Sequence, residues 1–428
     1  LLNRPPHEAN VAEQTEHSIN GGGLKFDYFS PNENHRFNVF ASAQHINRDS
    51  YYGPGDRDPL DAYGNTTDLN WMAGSQYVYS FGKCIFMPSD LTAGIEFNQD
   101  KLEDNMWGYN RTVDQKVNIG SAFLQNEWKN DHWGFLIGGR LDKHNLIDHV
   151  IFSPRANLRY NPTENINLRF SYSSGFRAPQ AFDEDLHVEN VGGNVAMVEL
   201  ADNLKEERSQ SLSASADIYH RFGAFQVNFL VEGFYTKLSD VFALTDGEVV
   251  DGILTRTRHN ASGAQVLGLT LEGKMAYLNK IQVQAGVTLQ QSHYSKPHIW
   301  NKEAPAVKKM MRTPNTYGYF TATYTPIKPL SIALSGTYTG SMLVPHEPVP
   351  GFLEKPITVN TKDFFDIGLK AAYDFKLYKS MNLQLNAGIQ NIFNAYQDDF
   401  DKGADRDSGY IYGPSLPRSF FAGVKISY

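Results

Sequence analysis

The segment Ile281-Gln282-Val283-Gln284-Ala285-Gly286-Val287-Thr288-Leu289 carries an apolar side chain at every second position. Successive side chains of a β-strand point to opposite faces, so this segment predicts a strand with one apolar and one mostly polar face. The same two-residue period recurs along the chain, in segments that begin near Ile166, Leu212, Phe225, Leu330, Phe365, Leu383 and Phe420. No long amphipathic helix interrupts these segments, and the pattern therefore predicts an all-β chain.

The lengths of the connections distinguish a membrane barrel from a soluble sandwich, which the two-residue period alone cannot do. Short connections are predicted at 129–131, 161–164, 220–223, 326–329 and 376–380. Long ones are predicted roughly at 46–68, 100–116, 175–206, 237–265, 294–315, 341–361 and 394–417. Outer-membrane barrels alternate short periplasmic turns with long external loops, so we expect a transmembrane antiparallel β-barrel.

The composition agrees with a barrel and excludes some partners. Mean hydropathy is −0.43, and no apolar run is long enough for a membrane helix. A barrel strand turns only every second residue towards lipid, so its mean hydropathy stays low. Cys84 is the single cysteine, which excludes an intramolecular disulfide. The net charge of −8 argues against nucleic acid as a partner.

The predicted strands number about 17, from one near 22–29 to the last at 419–428. An odd number makes the first and last strands run in the same direction, whereas a closed antiparallel barrel needs an even number. We therefore expect that the chain does not close a barrel by itself, and that a preceding portion is missing.

Several motifs occur in order along the chain. Gly175-Phe176-Arg177-Ala178-Pro179 leaves one strand, and Leu204-Lys205-Glu206-Glu207-Arg208-Ser209 opens the next. Asn391-Ile392-Phe393-Asn394 and the apolar alternation from Pro417 to the terminal Tyr428 follow. Together they resemble TonB-dependent outer-membrane receptors from about residue 121 to the end, and the loop style is similar to that of Bacteroidetes-type bacteria.

The resemblance implies a barrel of about 22 strands with a plugged lumen. By that count about 17 of the 22 strands are present. Residues 1–428 would be the C-terminal barrel portion, without the N-terminal plug domain and the TonB box.

The same resemblance implies a function in the bacterial outer membrane. The expected role is active import of a scarce large solute, namely a ferric siderophore, haem or a cobalamin. Its partners would be the lipid bilayer and TonB, reached through the missing plug region. The alternative is a passive channel or porin. An enzyme is not expected, because no motif of a hydrolase, a phosphate-binding loop or a zinc site is found.

The loop after Phe176 holds the candidate ligand-binding residues. These are Phe176, Arg177, Asp183, Glu184, Asp185 and His187. Haem receptors of the family carry a histidine in this loop, so haem as transported ligand would contact His187. The second box here reads Asp202-Asn203-Leu204 and lacks the family's proline, which weakens that assignment. The alternative is a solvated acidic loop, in which Arg177 fixes loop geometry or lines the lumen.

The last external loop holds the candidate metal ligands. Asp399, Asp401, Asp405 and Asp407 are oxygen donors of the kind that Ca²⁺ prefers. The spacing does not match an EF-hand, and the alternative is a flexible acidic loop. Beyond this possible Ca²⁺ no cofactor is expected to be required.

Overall fold

The structure is a computed structural model that describes residues 4–9, 11–54, 58–191, 194–250, 253–378, 380–403, 406–407, 409–414 and 416–428. One short α-helix, α1, spans Asp183–Leu186, and 3₁₀ helices span Pro6–Glu8, Pro59–Ala62 and Trp107–Tyr109. No helix in the described residues combines the length and the apolar character needed to cross a bilayer.

The strands in chain order are β1 Val11–Phe29, β2 His35–Pro54, β3 Tyr63–Cys84, β4 Met87–Met106, β5 Arg111–Lys129, β6 Trp133–His144, β7 Ile151–Thr163, β8 Ile166–Arg177, β9 Glu189–Val191, β10 Asn194–Leu200, β11 Glu207–Phe222 and β12 Phe225–Ser239. They continue with β13 Phe242–Val250, β14 Ile253–Asn260, β15 Ala264–Tyr277, β16 Ile281–His298, β17 Val307–Lys309, β18 Thr316–Ile327, β19 Leu330–Thr339, β20 Leu343–His346, β21 Ile357–Asn360, β22 Phe364–Tyr378, β23 Met381–Gln390 and β24 Ser419–Ser427.

The main sheet contains 18 strands, one of which is the three-residue β17. The other 17 pair antiparallel with their neighbours in chain order, omitting the short strands of the loops. Within the described part of the chain, β1 is paired with β2 and β24 with β23. The predicted all-β barrel wall of 17 strands is confirmed, and its first and last strands run in the same direction.

The outer face of the wall is apolar and exposed. Residues such as Ile137 and Val424 have 64% and 67% of their surface accessible. Cross-strand partners share a face, so Phe170, Leu158 and Ala214 form one continuous outer patch. The opposite, inner face carries polar and charged residues such as Glu96 and Arg140, joined by an ion pair of 2.6 Å. A sheet that is apolar outside and polar inside suits a bilayer around a polar lumen.

The predicted connection lengths are confirmed at most positions. The connections β5–β6, β7–β8, β11–β12, β18–β19 and β22–β23 are two or three residues long. The long connections at 178–206, 240–263, 299–315, 340–363 and 391–418 lie at the opposite, external end.

Two predicted long loops are wrong in extent. The loops at 46–68 and 100–116 shrink to 55–62 and 107–110, because β2 to β5 continue beyond the apolar band. There the polarity of the faces is reversed: Lys101 and Glu103 are exposed, whereas Leu102 and Met106 are buried on the inner side. The outer face meets water above the bilayer, so the apolar residues turn inward and pack against the external loops.

The external loops have secondary structure of their own. The loop after β8 and the loop after β12 share a four-stranded sheet in the order β13-β14-β10-β9. Strands β10 and β14 pair in parallel, from Val195 with Ile253 to Leu200 with Arg258. Strands β20 and β21 form a separate antiparallel pair.

Candidate functional site

The first candidate site is the pair of external segments 178–206 and 240–263, which we call the arginine-held cap. The parallel pairing of β10 with β14 joins the two segments. Buried residues Tyr52, Met106, Tyr109, Val188 and Met197 form one apolar cluster beneath it. A second cluster packs Leu186 and Ala181 against Leu102. Both clusters mix loop and strand residues, so the cap is packed onto the inner face of β2 to β5.

Asp185 lies at the centre of this cap, and only 2% of its surface is exposed. Its Oδ2 accepts a hydrogen bond from the Phe182 backbone N–H at 2.8 Å, which caps the start of α1. Its Oδ1 forms an ion pair with Arg258 of β14. Asp185 therefore joins the two halves of the cap rather than presenting a carboxylate to solvent.

Two residues of β5 hold the cap to the wall. Arg111 donates hydrogen bonds to the backbone oxygens of Asp185 and Leu186, at 2.5 and 3.2 Å. Gln115 accepts from the Ala181 N–H at 2.7 Å and donates to the Ala181 oxygen at 3.3 Å. Arg111 also lies 3.7 Å from the buried Asp104. The guanidinium group of Arg111 and the side-chain amide of Gln115 thus hold the cap to β5.

Two guanidinium groups approach the ring of Phe182. Arg177 is 3.9 Å and Arg258 is 5.7 Å from the centre of its ring, within the range of cation–π attraction. Phe176, which directly precedes Arg177, packs against Ile147, Ile151 and Ala178. Both predicted residues of the Phe-Arg-Ala-Pro segment thus orient the chain as it leaves β8.

His187 lies at the inner side of the cap and is partly exposed. Its Nε2 is 3.3 Å from Glu13 Oε2 on β1, and its ring meets that of Tyr52 edge-on at 5.1 Å. The backbone of Asp183 and Glu184 is helical, but their side chains lie outside the described part of the structure. The structure brings Asp185 and His187 into one cap and places Arg177 against it, although through internal contacts rather than around one open ligand site.

A cavity of about 770 Å³ lies between β5 and the arginine-held cap. Arg111, Gln115 and Lys116 line it from the strand, and Asp185, Glu199 and Asp202 line it from the cap. Apolar Val113, Met197 and Leu200 complete it. Mixed polarity and this volume suit a medium-sized solute.

The Leu204–Ser209 segment clamps neighbouring loops. Glu206 Oε1 accepts from Arg208 Nε at 2.9 Å and lies 3.0 Å from His149 Nε2. Burial alone would raise the pKa of Glu206, but the hydrogen bonds, led by that from Arg208, lower it below its usual value. Lys205 N–H donates to Asn260 Oδ1 at 2.8 Å. This motif therefore sets the position of three connections at once.

The second candidate site is the pair of segments 340–363 and 391–418, which we call the carboxylate-held cap. His346 stacks on Tyr410 with ring centres 3.8 Å apart, and its Nε2 lies 2.9 Å from Asp401. Asp407 accepts from the Glu347 N–H at 2.8 Å. The two segments are thus joined by carboxylates that accept hydrogen bonds across the contact.

Asp399 belongs to the same cap and accepts from the Tyr412 hydroxyl at 2.6 Å. Burial, together with Asp399, raises the pKa of Tyr412 far above its usual range, and the pKa of Tyr410 is raised in the same way. Both hydroxyls therefore stay protonated, and can donate, at pH values at which a free tyrosine would begin to ionise.

The calcium hypothesis stays a prediction. Asp399, Asp401 and Asp407 accept hydrogen bonds from protein donors, and Asp405 lies outside the described residues. Over the described ranges, no group of three or more His, Cys, Asp or Glu side chains is arranged to hold a metal ion.

Asn391 explains the Asn-Ile-Phe-Asn motif. It has a left-handed backbone with φ of 49° and is 3% exposed. Its side chain donates to the oxygens of Ala395 and Leu416 at 2.9 and 3.0 Å and accepts from the Ala395 N–H at 2.7 Å. Asparagine tolerates this conformation better than most residues. The motif therefore builds the turn that starts the last loop.

The residues that sequence reasoning missed are Arg111, Gln115 and Arg258. They lie 66 to 75 residues from their partners in the 178–187 segment. No local pattern marks them, because each is an ordinary polar residue on a strand until the loop folds over it.

Comparisons with known proteins identify similar sequences and structures. The family model described as "TonB dependent receptor-like, beta-barrel" matches residues 6–392. No curated protein sequence matched the chain. Among solved structures, the siderophore receptor PirA from Acinetobacter baumannii is 14% identical with a TM-score of 0.70, covering 96% of this chain and 62% of its own.

Two further structures are similar. The ferric-catecholate import receptor Fiu from K12 E. coli is 14% identical with a TM-score of 0.69, covering 96% of this chain and 64% of its own. A mutant of the ferric enterobactin receptor from Pseudomonas aeruginosa is 16% identical with a TM-score of 0.70, covering 96% and 61%. The chain thus spans under two thirds of the length of these structures. It belongs to the family of TonB-dependent receptor β-barrels.

Proposed function

We propose that this chain forms the barrel of an outer-membrane receptor that imports a ferric siderophore by a TonB-dependent mechanism. The observation that carries the proposal is the family match over residues 6–392. The apolar outer face and polar inner face of the wall support a location in a bilayer. The proposed partners are the lipid bilayer, TonB and the solute.

The ligand class is proposed from the neighbours and from the mouth of the barrel. PirA, Fiu and the Pseudomonas receptor are each described as receptors for siderophores or ferric complexes. The cavity of about 770 Å³ beside the arginine-held cap supports a medium-sized, partly polar ligand. Haem and cobalamin are the rival ligands, and haem would depend on His187.

The chemistry required of the chain is binding and passage, without covalent change. External side chains would bind the solute, and the caps would keep the mouth of the barrel closed until TonB-dependent transport begins. We propose no enzymatic step for the barrel.

The test is uptake by the complete receptor in cells that lack competing receptors. Radiolabelled iron is supplied as ferric siderophores or as haem, and cobalamin is supplied with labelled cobalt, each with and without a protonophore. We expect uptake of a ferric siderophore that stops when the proton-motive force is removed. Uptake that persists without energy would support the passive channel instead. Haem uptake that is lost in His187→Ala would replace the siderophore proposal with the haem alternative.

A further inference from the structure

Two adjacent wall strands carry an unusual charge pattern. Strands β7 and β8 have 13 and 12 residues, and neither contains Asp or Glu. They carry Arg155, Arg159, Arg169 and Arg177, in a chain whose net charge is −8. A basic stretch of this kind within an acidic protein needs a local explanation.

The first three arginines face the lumen. Phe152, Leu158, Leu168 and Phe170 are exposed apolar residues of the outer face. Side chains alternate along a strand, so Arg155, Arg159 and Arg169 lie on the inner face. Arg177 lies higher, at the end of β8, opposite Glu207 and over the Phe182 ring of the arginine-held cap.

The arginines stand at two levels along the lumen wall. Arg155 is opposite Ser173, and Arg159 is directly opposite Arg169. The two levels are four residues apart, which is about 13 Å along the strand. Like charges directly opposite each other destabilise a sheet. Their placement therefore costs stability, which an anion in the lumen would relieve.

Two acidic groups near these arginines, Asp142 and Asp217, have other partners. Asp142 on β6 is in an ion pair with Arg140 at 2.8 Å. Asp217, diagonal to Arg169 on β11, accepts from Tyr219 at 2.7 Å and from Asn228. Among the described residues, Arg155 and Arg169 have neither an ion pair nor a side-chain hydrogen bond. Within the part of the chain that the structure describes, Arg159 donates to the backbone oxygens of Asn130 and Trp133 at 2.8 and 3.4 Å.

The neighbouring side chains are small and carry hydroxyl groups. Inner positions beside the arginines on β8 and β11 are Ser171, Ser173, Ser211, Ser213 and Ser215. A lumen-side cavity of about 450 Å³ is lined by Arg155 together with Ser153, Ser173 and Gln125. Glu96 also lines this cavity, and its carboxylate is paired with Arg140 at 2.6 Å. Guanidinium forks and hydroxyl donors are the groups that bind carboxylate, catecholate and phosphate oxygens.

We propose that Arg155, Arg159 and Arg169 form an anion path on the lumen wall, along which a negatively charged ferric complex with carboxylate or catecholate oxygens passes towards the periplasm. The proposal rests on the import function proposed above and narrows its substrate to anionic complexes. According to this proposal, the solute is first bound at the mouth of the barrel, and the wall below the caps then guides its passage.

The test compares the complete receptor with three double variants. Arg155→Gln with Arg169→Gln removes two path charges, and Arg155→Lys with Arg169→Lys keeps them. Lys370→Gln with Lys425→Gln removes two inner-face cations from β22 and β24, and is the matched control. Initial uptake rates are measured for a ferric tris-catecholate, ferric citrate and a neutral ferric tris-hydroxamate, together with binding at the cell surface.

We expect the glutamine pair to slow uptake of the anionic complexes about fivefold or more, with surface binding unchanged. The lysine pair and the Lys370/Lys425 control should keep most of the rate. Unchanged uptake in the glutamine pair, or an equal loss for the neutral complex, would overturn the anion path.

Two other outcomes are distinguishable. If the arginines instead hold acidic residues of a plug domain, the glutamine pair becomes leaky to large antibiotics without energy, and the anion path is wrong. If the unmodified receptor shows no energy-dependent uptake of any ferric complex, the import function fails, and the anion path fails with it. Uptake of the neutral complex alone overturns the path while leaving the import function in place.

Discussion

Each of the two caps consists of two external segments that are joined to each other, but the groups that join them differ in charge. In the arginine-held cap, Arg111 and Arg258 donate to a buried carboxylate and to backbone oxygens. In the carboxylate-held cap, Asp399, Asp401 and Asp407 accept from hydroxyl, imidazole and backbone donors. Guanidinium groups supply several donors to one acceptor, whereas the carboxylates of the second cap each accept from donors of different kinds. The comparison shows that one cap is held mainly by cationic donors and the other mainly by anionic acceptors.

The largest expected effect comes from breaking the buried ion pair of the arginine-held cap. Asp185→Asn removes the carboxylate charge that is paired with the buried Arg258, which should lower the local free energy of opening by about 3–5 kcal/mol. Hydrogen exchange of β10 and β14 in the complete receptor measures this opening. Glu199→Gln, at an exposed carboxylate of the same cap, is the matched control. Equal protection in Asp185→Asn and in the control would show that the pair does not hold the cap.

The turn that starts the last loop should give the next largest effect. Asn391→Ala removes three side-chain hydrogen bonds and forces alanine into a left-handed conformation, for a loss of about 2–3 kcal/mol in local stability. Asn391→Gly relieves the backbone cost and should lose less. Exchange of the 391–418 segment reports the difference. If alanine and glycine lose the same amount, the positive φ contributes nothing.

A smaller effect is expected at Tyr412, with a defined dependence on pH. Its pKa is raised in the folded cap above the usual value near 10.0. The stabilisation is therefore complete below pH 10 and is lost as the pH rises through the raised pKa. Tyr412→Phe should cost about 1 kcal/mol at neutral pH and should flatten the loss above pH 10. Hydrogen exchange of the carboxylate-held cap at pH 8 to 11 measures both the loss of stability and its dependence on pH. If stability falls with pH equally steeply in Tyr412→Phe, ionisation of this tyrosine does not cause the loss.

The smallest effect is expected at the rim of the same cap. Lys362 donates to Asp398 at 2.8 Å, and this bond lowers the pKa of Asp398. Both side chains are more than 60% exposed, so solvent screens the pair. Lys362→Ala should leave the exchange of the 391–418 segment unchanged within error, at low and at high salt. A clear loss of protection at low salt would mean that surface charges also hold this cap.

The acidic last loop shows where sequence reasoning stopped. Five aspartates within 398–407 predict mutual repulsion, and hence either a metal or a flexible loop. In the structure, Asp399, Asp401 and Asp407 each have protein donors, from Tyr412, His346 and the Glu347 backbone. One of these donors, Tyr412, lies in the same loop, and the other two come from 340–363. Such pairing depends on tertiary contact, which local spacing does not encode.

The extended strands show a second limit. The apolar period marks a strand only where one face meets lipid or a core throughout its length. Around Leu102 and Met106 the apolar side changes from outer to inner, because the outer side has left the bilayer. The break in the apolar two-residue period therefore predicts a loop, whereas the backbone continues as a strand.

The sequence by itself determined the barrel wall, its 17 strands and the family, because the two-residue period and the turn spacing are local consequences of a bilayer outside and a polar lumen inside. It also marked the loop that contains Asp185 and His187. Only the tertiary structure decided that Arg111 and Arg258 bury Asp185, and that Arg159 faces Arg169 on the neighbouring strand while Arg155 faces Ser173. Those contacts depend on strand register and on loop closure over the mouth, which join residues far apart in the chain.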